Sequence, residues 1–452
     1  MENKQQTLFW KEVAAELQQD GHDISWIVQN SGFTPDVGFP HVIPYPNGSG
    51  HMRSVQSDPE IRRIVSTDRG INYFGGDASH YHYYEEKISS VLDVVKPHVV
   101  FGEATLFHEL LCMRQCRARK ILYLNPTSCR YPLGRFSFYL YDTPKPFLGS
   151  GEQYSEPEAA ALADKIGRRE IQPDYMNGRS HVWAVRMYET LRKNLEVTAC
   201  RFSGERYNTP SPVSKIALEL RQRMNRLRWE RLSARLVSKN IKLRILYPLQ
   251  LQPENNIDLW GNGYRDQTKL LAGLLSVTDE SSLLVVKPNP KSKYELSDDL
   301  LGLVASSDRI LPVPHRMSMG DVLQTTDLIV TVTGTVAIEA IFAGRPVVTL
   351  VETLPNMVPS CIYLKDPNSL PDVVRMVRER AFPRATASQK VAFLNLLTRT
   401  SYPGVISNPY SSPSCVSDEN ICRVSSAFKH VLSKIHLALS TDQGHETSLR
   451  FG

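Results

Sequence analysis

The chain has 452 residues, 41% hydrophobic and 22% charged, which excludes a wholly disordered or fibrous protein and suits two or three domains. Its formal charge of +6, from 53 basic and 47 acidic residues, is too weak over this length to mark a nucleic-acid binder by itself. The start, MENKQQTLFW, has no apolar signal core, and the longest apolar stretch, 328–350, is broken by Glu339 and Arg345. It reads as strand-helix-strand and not as a membrane span. The expectation is a cytoplasmic protein, with any membrane contact peripheral at the inner face.

In chain order, 8–19 carries Leu8, Phe9, Val13, Ala14 and Leu17 at helical spacing, and 24–28 reads as a strand. No strand can be read ahead of Phe9. The stretch 34–60 is rich in Pro, Gly and His and reads as a loop. Helix 80–95 then leads to strand 98–102, and helix 105–118 to strand 120–124. A loop-rich region, 143–182, holds a helix near 155–168, and longer helices are expected near 180–200 and 212–238.

The second half restarts the alternation. Strand 243–249 is followed by helix 265–276, strands 282–287 and 309–313, helix 318–325, strand 327–332, helix 335–343 and strand 346–350. A short strand at 361–364 and helices at 370–380, 386–398 and 419–438 follow, with a Ser/Pro-rich stretch at 404–418 and a loose polar tail at 440–452. Such alternation predicts α/β halves with parallel sheets and crossover helices. The expected division is 1–240 for a first domain with a helical insertion, 241–385 for a second domain, and 386–452 for C-terminal helices and tail. Ligands in such folds sit at the carboxyl ends of the strands, so two facing domains offer a cleft.

Four places at strand ends could carry chemistry. The clearest is DLIVTVTGTVAIEA, 327–340. A strand ends at Thr333, Gly334 permits a tight turn, and Thr335 opens a helix whose free N–H groups and dipole favour an anion. Glu339, one turn on, could reach a ribose diol. No Gly-Lys-Ser/Thr follows, so this is not a Walker loop. A plain strand-turn-helix packed by small residues would look the same. The second place is Lys287-Pro288-Asn289-Pro290, directly after strand LLVV. The third is LQLQPENNID, 249–258, with Gln252, Glu254 and Asp258. Both read equally as ordinary surface turns.

The fourth place lies in the first half. Gly102-Glu103-Ala104-Thr105 ends strand HVVFG, with His108 and Glu109 on the next helix. A carboxylate there is a candidate acid, base or nucleophile, or simply a first-turn helix acid. The following stretch, NPTSCRYPLGRFSFYLYD, combines Arg130 and Arg135 with Tyr131, Tyr139 and Tyr141. Arginine forks grip carboxylates and aromatic rings stack on sugar faces. Surface arginines on a structural loop are the plainer reading. The seven cysteines, Cys112, Cys116, Cys129, Cys200, Cys361, Cys415 and Cys422, show no paired metal-site spacing. They read as reduced thiols.

Taken together, FGEATLFHELL with NPTSCRYPLGRFSFY, then QPENN, then KPNP with VTVTGTVAIEA, resemble bacterial capsule polysaccharide biosynthesis proteins of the Kdo transferase group (Kdo is 3-deoxy-D-manno-octulosonic acid). The resemblance implies a GT-B glycosyltransferase: α/β, with two Rossmann-like domains facing a cleft. It implies a nucleotide-sugar donor, CMP-linked in Kdo enzymes, and a polysaccharide or glycolipid acceptor. Gln252, Lys287, Asn289, Thr333, Gly334, Thr335 and Glu339 would hold the donor nucleotide. Gln252 and Glu254 match the family's Gln-Pro-Glu. Where many relatives have Lys-x-His-Pro, this chain has Asn289, which donates a hydrogen bond but carries no charge.

With that assignment, Glu103 is the expected base or nucleophile, with His108 and Glu254 beside it. Arg130, Tyr131 and Arg135 would grip an acidic sugar. No metal or resident cofactor is expected, because no Asp-x-Asp pair is present to hold Mg²⁺. The rivals are a sugar-nucleotide epimerase or hydrolase on the same fold, and a non-catalytic glycan-assembly subunit. A nucleic-acid partner is not expected.

The charge is clustered. Residues 215–244 hold ten basic residues, Lys215, Arg221, Arg223, Arg226, Arg228, Arg231, Arg235, Lys239, Lys242 and Arg244, against Glu219 and Glu230. A solvated helix face is one reading, and a contact with anionic lipid headgroups is the other.

Overall fold

A computed structural model describes residues 4–46, 58–173, 206–208, 210–234, 241–292, 294–409 and 412–442, with isolated positions between 192 and 202. Most of the helix expected at 180–200, positions 235–240 of the presumed joint and of the basic run, and the tail from 443 lie outside the described residues.

The architecture is α/β, in two domains built on separate sheets: six strands in the second, and four strands with a detached two-stranded pair in the first. In the second domain six strands form one all-parallel sheet. In chain order they are Leu243–Pro248, Ser282–Lys287, Ile310–Pro312, Leu328–Thr331, Val347–Thr349 and Cys361–Tyr363. Leu328–Thr331 and Ser282–Lys287 flank Leu243–Pro248, so strand order reverses at the first strand of the domain. The central strands are buried on both faces, which is why they read as unbroken Leu/Val/Ile runs. One face is covered by helices Gln267–Val277, Asp298–Ser306 and Leu370–Arg378, through Leu271, Leu300 and Val373. The other is covered by Thr335–Phe342 and Ala387–Arg399, through Ala340, Ile341 and Leu394. Helix starts here carry side-chain caps from Asp266, Ser297 and Ser318, which satisfy amide donors that the helix leaves open.

The first domain is built differently in detail. Ser25–Val28 and Phe39–Val42 form a separate parallel pair, and the second of these strands lies inside the stretch read as loop. Val99–Phe101 pairs in parallel with Leu122–Ser128, which pairs antiparallel with Arg135–Leu140. The hairpin strand 135–140 was not expected, because its arginine and three aromatics read as a binding loop. Its Phe136 and Phe138 are buried.

The chain crosses between the domains more than once. Helix Glu156–Gly167 packs its small face, Ala159 and Ala163, on the second domain beside Ala337 and Ala340. Gly167 runs so close there that a Cβ would stand 2.7 Å from the Phe342 carbonyl oxygen. After Ala387–Arg399 the chain returns to the first sheet, where Tyr402 pairs with Phe136. The final helix, Asp418–Asp442, then packs Val424, Phe428 and Val431 on Phe9, Val13 and Leu17 of the opening helix, Lys4–Gln19.

Candidate functional site

The two sheets meet at their loops, and named side chains join them there. From the first domain, the Thr105 hydroxyl donates to Asn255 Oδ1 at 2.6 Å. Arg130, on the turn between strands Leu122–Ser128 and Arg135–Leu140, pairs with Glu254 at 2.7 Å, with both side chains partly open to solvent. Tyr131 donates to Glu339 Oε1 at 2.9 Å, fully buried. Four of the residues read from sequence, Arg130, Tyr131, Glu254 and Glu339, are thus brought together in two cross-domain pairs.

Glu103 stands at the carboxyl end of Val99–Phe101, two residues before Thr105, and is half-buried. Gln6 of the opening helix donates to its carboxylate. The Tyr123 hydroxyl fixes its backbone carbonyl at 2.5 Å. Glu109 is a helix-start acid: its Oε2 accepts from the amides of Thr105 at 2.9 Å and Leu106 at 2.8 Å. His108 departs from expectation. Its ring is buried, its Nδ1 lies 3.2 Å from Asn208 Nδ2, and burial holds the imidazole well below its ordinary range. It is a neutral core histidine, not an exposed group.

The Gln-Pro-Glu segment divides by residue. Gln252 is buried in an amide network: it donates to Asp258 and to the Arg265 carbonyl, both at 3.2 Å, and accepts from Gln267 at 3.1 Å. Asp258 accepts from Arg265 Nε at 2.8 Å and from the Glu254 amide at 3.0 Å. Burial raises the Asp258 carboxyl, and the Arg265 guanidinium pulls the other way. Gln252 therefore shapes the loop, and Glu254 is the member whose carboxylate faces the seam.

Lys287 ends its strand as expected, but its ammonium is buried and donates to the Pro288 carbonyl at 3.1 Å and the His315 carbonyl at 3.0 Å. Burial lowers its pKa to about 8. Asn289 turns its Oδ1 back onto the Lys291 amide at 2.9 Å, so the side chain organises its own turn. Lys291, which sequence reading passed over, has its ammonium depressed by desolvation and by the nearby Arg130 guanidinium.

Gly334 adopts φ +99° and starts helix Thr335–Phe342 with no side-chain cap. Its turn is braced by Gln250, which donates to Thr331 Oγ1 at 3.1 Å. Thr333 is buried, and its hydroxyl lies 3.4 Å from the Asn256 carbonyl, so it adds no open donor. Thr335 is half-buried at the helix start.

Glu339 requires a correction. It is 1% exposed, and Arg169 pairs with it in addition to Tyr131. Burial raises its carboxyl and Arg169 opposes that rise. The carboxylate is not displayed for a ribose, because the first domain already occupies it. Tyr131 is equally buried and offers no face for sugar stacking.

Arg135 is corrected as well. It donates to Ser401 Oγ at 2.8 Å, Ser150 Oγ at 2.8 Å, the Ser401 carbonyl at 2.9 Å and the Thr398 carbonyl at 3.2 Å, and it pairs with Glu152 at 2.7 Å. It fastens the returning chain to the first sheet. Among the described residues no cluster of His, Cys, Asp and Glu could hold a metal ion, and the described cysteines are free thiols.

No family model matches the chain, and no curated protein matches it. Solved structures similar to it include KpsC, a beta Kdo 2,4 transferase from Thermosulfurimonas dismutans, at 13% identity over 66% of this chain and 78% of that one, with a TM-score of 0.33. The UDP-GlcNAc 2-epimerase of Neisseria meningitidis, bound to UDP-GlcNAc, is 12% identical over 88% of this chain and 97% of its own, with a TM-score of 0.24. The wall teichoic acid polymerase TagF is 10% identical over 60% and 64%, with a TM-score of 0.24.

Proposed function

We propose that the chain is a nucleotide-sugar-dependent glycosyltransferase, moving Kdo or another acidic sugar onto a capsule or surface polysaccharide. One observation carries this reading. A strand-terminal carboxylate of the first domain, Glu103, lies two residues from a contact with the loop that holds Glu254, at the seam where Arg130 and Lys291 bring positive charge. A base and nearby cations, Arg130 from the first domain and Lys291 from the second, are what transfer from a phosphate-linked donor needs.

In the proposed step the acceptor hydroxyl oxygen attacks the anomeric carbon and gives its proton to Glu103. The bond from that carbon to the donor phosphate oxygen breaks, and the phosphate leaves with the electron pair. Arg130, Lys291 and the amides opening helix Thr335–Phe342 stabilise it. Lys287 serves from beneath, by fixing the carbonyls of Pro288 and His315 that shape the loop. Glu254 holds Arg130 in place until an anion competes for it.

The test is a binding panel of CMP-, UDP- and GDP-sugars with the full chain, followed by transfer to capsule oligosaccharides with the donor that binds. Nucleotide release that depends on acceptor supports the reading. Release of free sugar without acceptor supports a hydrolase or epimerase instead. Binding of none of the panel overturns it.

A further inference from the structure

The basic helix has two apolar faces, and the core uses one. Helix Pro212–Ser233 is capped by the Ser211 hydroxyl, which accepts from the Ser214 amide, with Pro212 in its first turn. Its inner face is anchored by Trp229, whose indole N–H donates to the Val313 carbonyl at 2.8 Å, and by Asn225, which donates to the Leu296 carbonyl at 2.9 Å. On the opposite side run Val213, Ile216, Leu220, Met224 and Leu227, at steps of three and four residues. Each is between 54% and 77% exposed. Steps of three and four place all five on one stripe. Leu195 and Phe202, shortly before the helix, are exposed as well.

A continuous apolar stripe facing solvent is costly and calls for a covering surface. The charges beside it say which. Arg223 on one flank and Arg221 and Arg228 on the other border the stripe, and Arg231 continues its line. Arg221 and Arg228 share Asp298, while Arg223 and Arg231 make no ion pair among the described residues. Of the two acids on the helix, Glu230 is turned inward, where it accepts from the His315 amide at 3.0 Å. A second copy of this helix would bring arginines against arginines. An anionic surface would not.

We propose that helix Pro212–Ser233 lies in the headgroup layer of an anionic phospholipid membrane, with the Val213–Leu227 stripe inserted and the flanking arginines on lipid phosphates. The geometry is that of an in-plane amphipathic helix. No described helix is long and apolar enough to cross a membrane, so the contact is lateral. The proposal is independent of the chemistry proposed for the interdomain site.

Sedimentation of the full chain with vesicles tests this. One set is phosphatidylcholine alone, and the other carries about 30% phosphatidylglycerol, a composition chosen to give the surface negative charge. The chain is expected to pellet with the anionic vesicles, less so as salt rises, and to stay in solution with the neutral ones. L220E with L227E is expected to lower the partition roughly tenfold or more while leaving circular dichroism and melting unchanged, since these side chains stand mostly exposed. R223E with R231E is expected to weaken binding and flatten its salt dependence. In M224W, quenching by brominated lipid beyond that of the unsubstituted chain places the stripe in the bilayer without relying on loss of function. No partition onto anionic vesicles, or L220E/L227E pelleting like the parent, overturns the proposal. A dimer broken by L220E/L227E, without vesicle binding, also overturns it and makes the stripe a contact between copies.

Discussion

Tyr131 of the first domain hydrogen-bonds Glu339 of the second at 2.9 Å, and both side chains are buried. Arg169 pairs with the other carboxylate oxygen. A buried carboxylate needs its partners because leaving it unmatched is far more costly than never having placed it there. Y131F removes one donor and is expected to lower stability by about 1–3 kcal/mol. R169A removes the cation that offsets the burial of this carboxylate and is expected to cost about 3–5 kcal/mol. Because both act on one carboxylate, the double variant should fall short of the sum. Chemical denaturation of the four proteins in the cycle checks this, and strict additivity would contradict the shared-carboxylate account.

The Arg130–Glu254 pair crosses the same seam nearer to solvent. Pairs so exposed are worth about 0–1 kcal/mol, so R130A should barely shift the melting temperature. If Arg130 meets the donor phosphate, it should nonetheless weaken nucleotide-sugar binding by about tenfold or more. Titration calorimetry with the donor that binds, beside a melting curve, separates the two effects. A large loss of stability with donor binding intact would make the pair a structural bolt.

Arg135 should behave in the opposite way. Its guanidinium is buried among Ser150, Glu152, Thr398 and Ser401, so R135A is expected to cost about 3–5 kcal/mol. R135K is expected to rescue little, because an ammonium cannot reproduce the fork. Donor affinity of the folded fraction should be unchanged. A stable R135A protein with weakened sugar binding would restore the role that sequence had suggested.

Much of the second domain was legible because burial on both faces writes itself as runs such as LLVV and DLIV. Strand Ser282–Lys287 and helix Thr335–Phe342 stand where the pattern placed them. Helix Asp298–Ser306 stands where no helix was expected. The site was harder for a physical reason. Arg169 lies in a loop, 170 residues from Glu339, and no local pattern announces a partner that distant. Arg130, Tyr131 and Arg135 share one short segment, yet three environments give them three roles. Burial decides which arginine is a fastener and which stays partly open at the seam, and burial is not written locally.

Lys287 supplies a pH signature. Its folded pKa of about 8 lies below the ordinary lysine value of 10.5, so between those values the unfolded chain binds more protons than the folded one. Stability then rises with pH across that window. The penalty for burying the ammonium is fully present below about pH 8 and is relieved toward pH 10.5. Relative to K287M, the parent should gain stability as pH rises through this range. Denaturation midpoints of both proteins check it, and a constant difference would contradict a buried, depressed ammonium.

The central claim is that Glu103 takes the proton during sugar transfer. The most direct measurement is acceptor-dependent release of nucleotide by the parent and by E103Q, with donor affinity measured in parallel. The account predicts that E103Q binds the donor as the parent does, since the amide keeps the shape, and that transfer falls by about 10²–10⁴-fold. E103Q turning over at near the parental rate would contradict it.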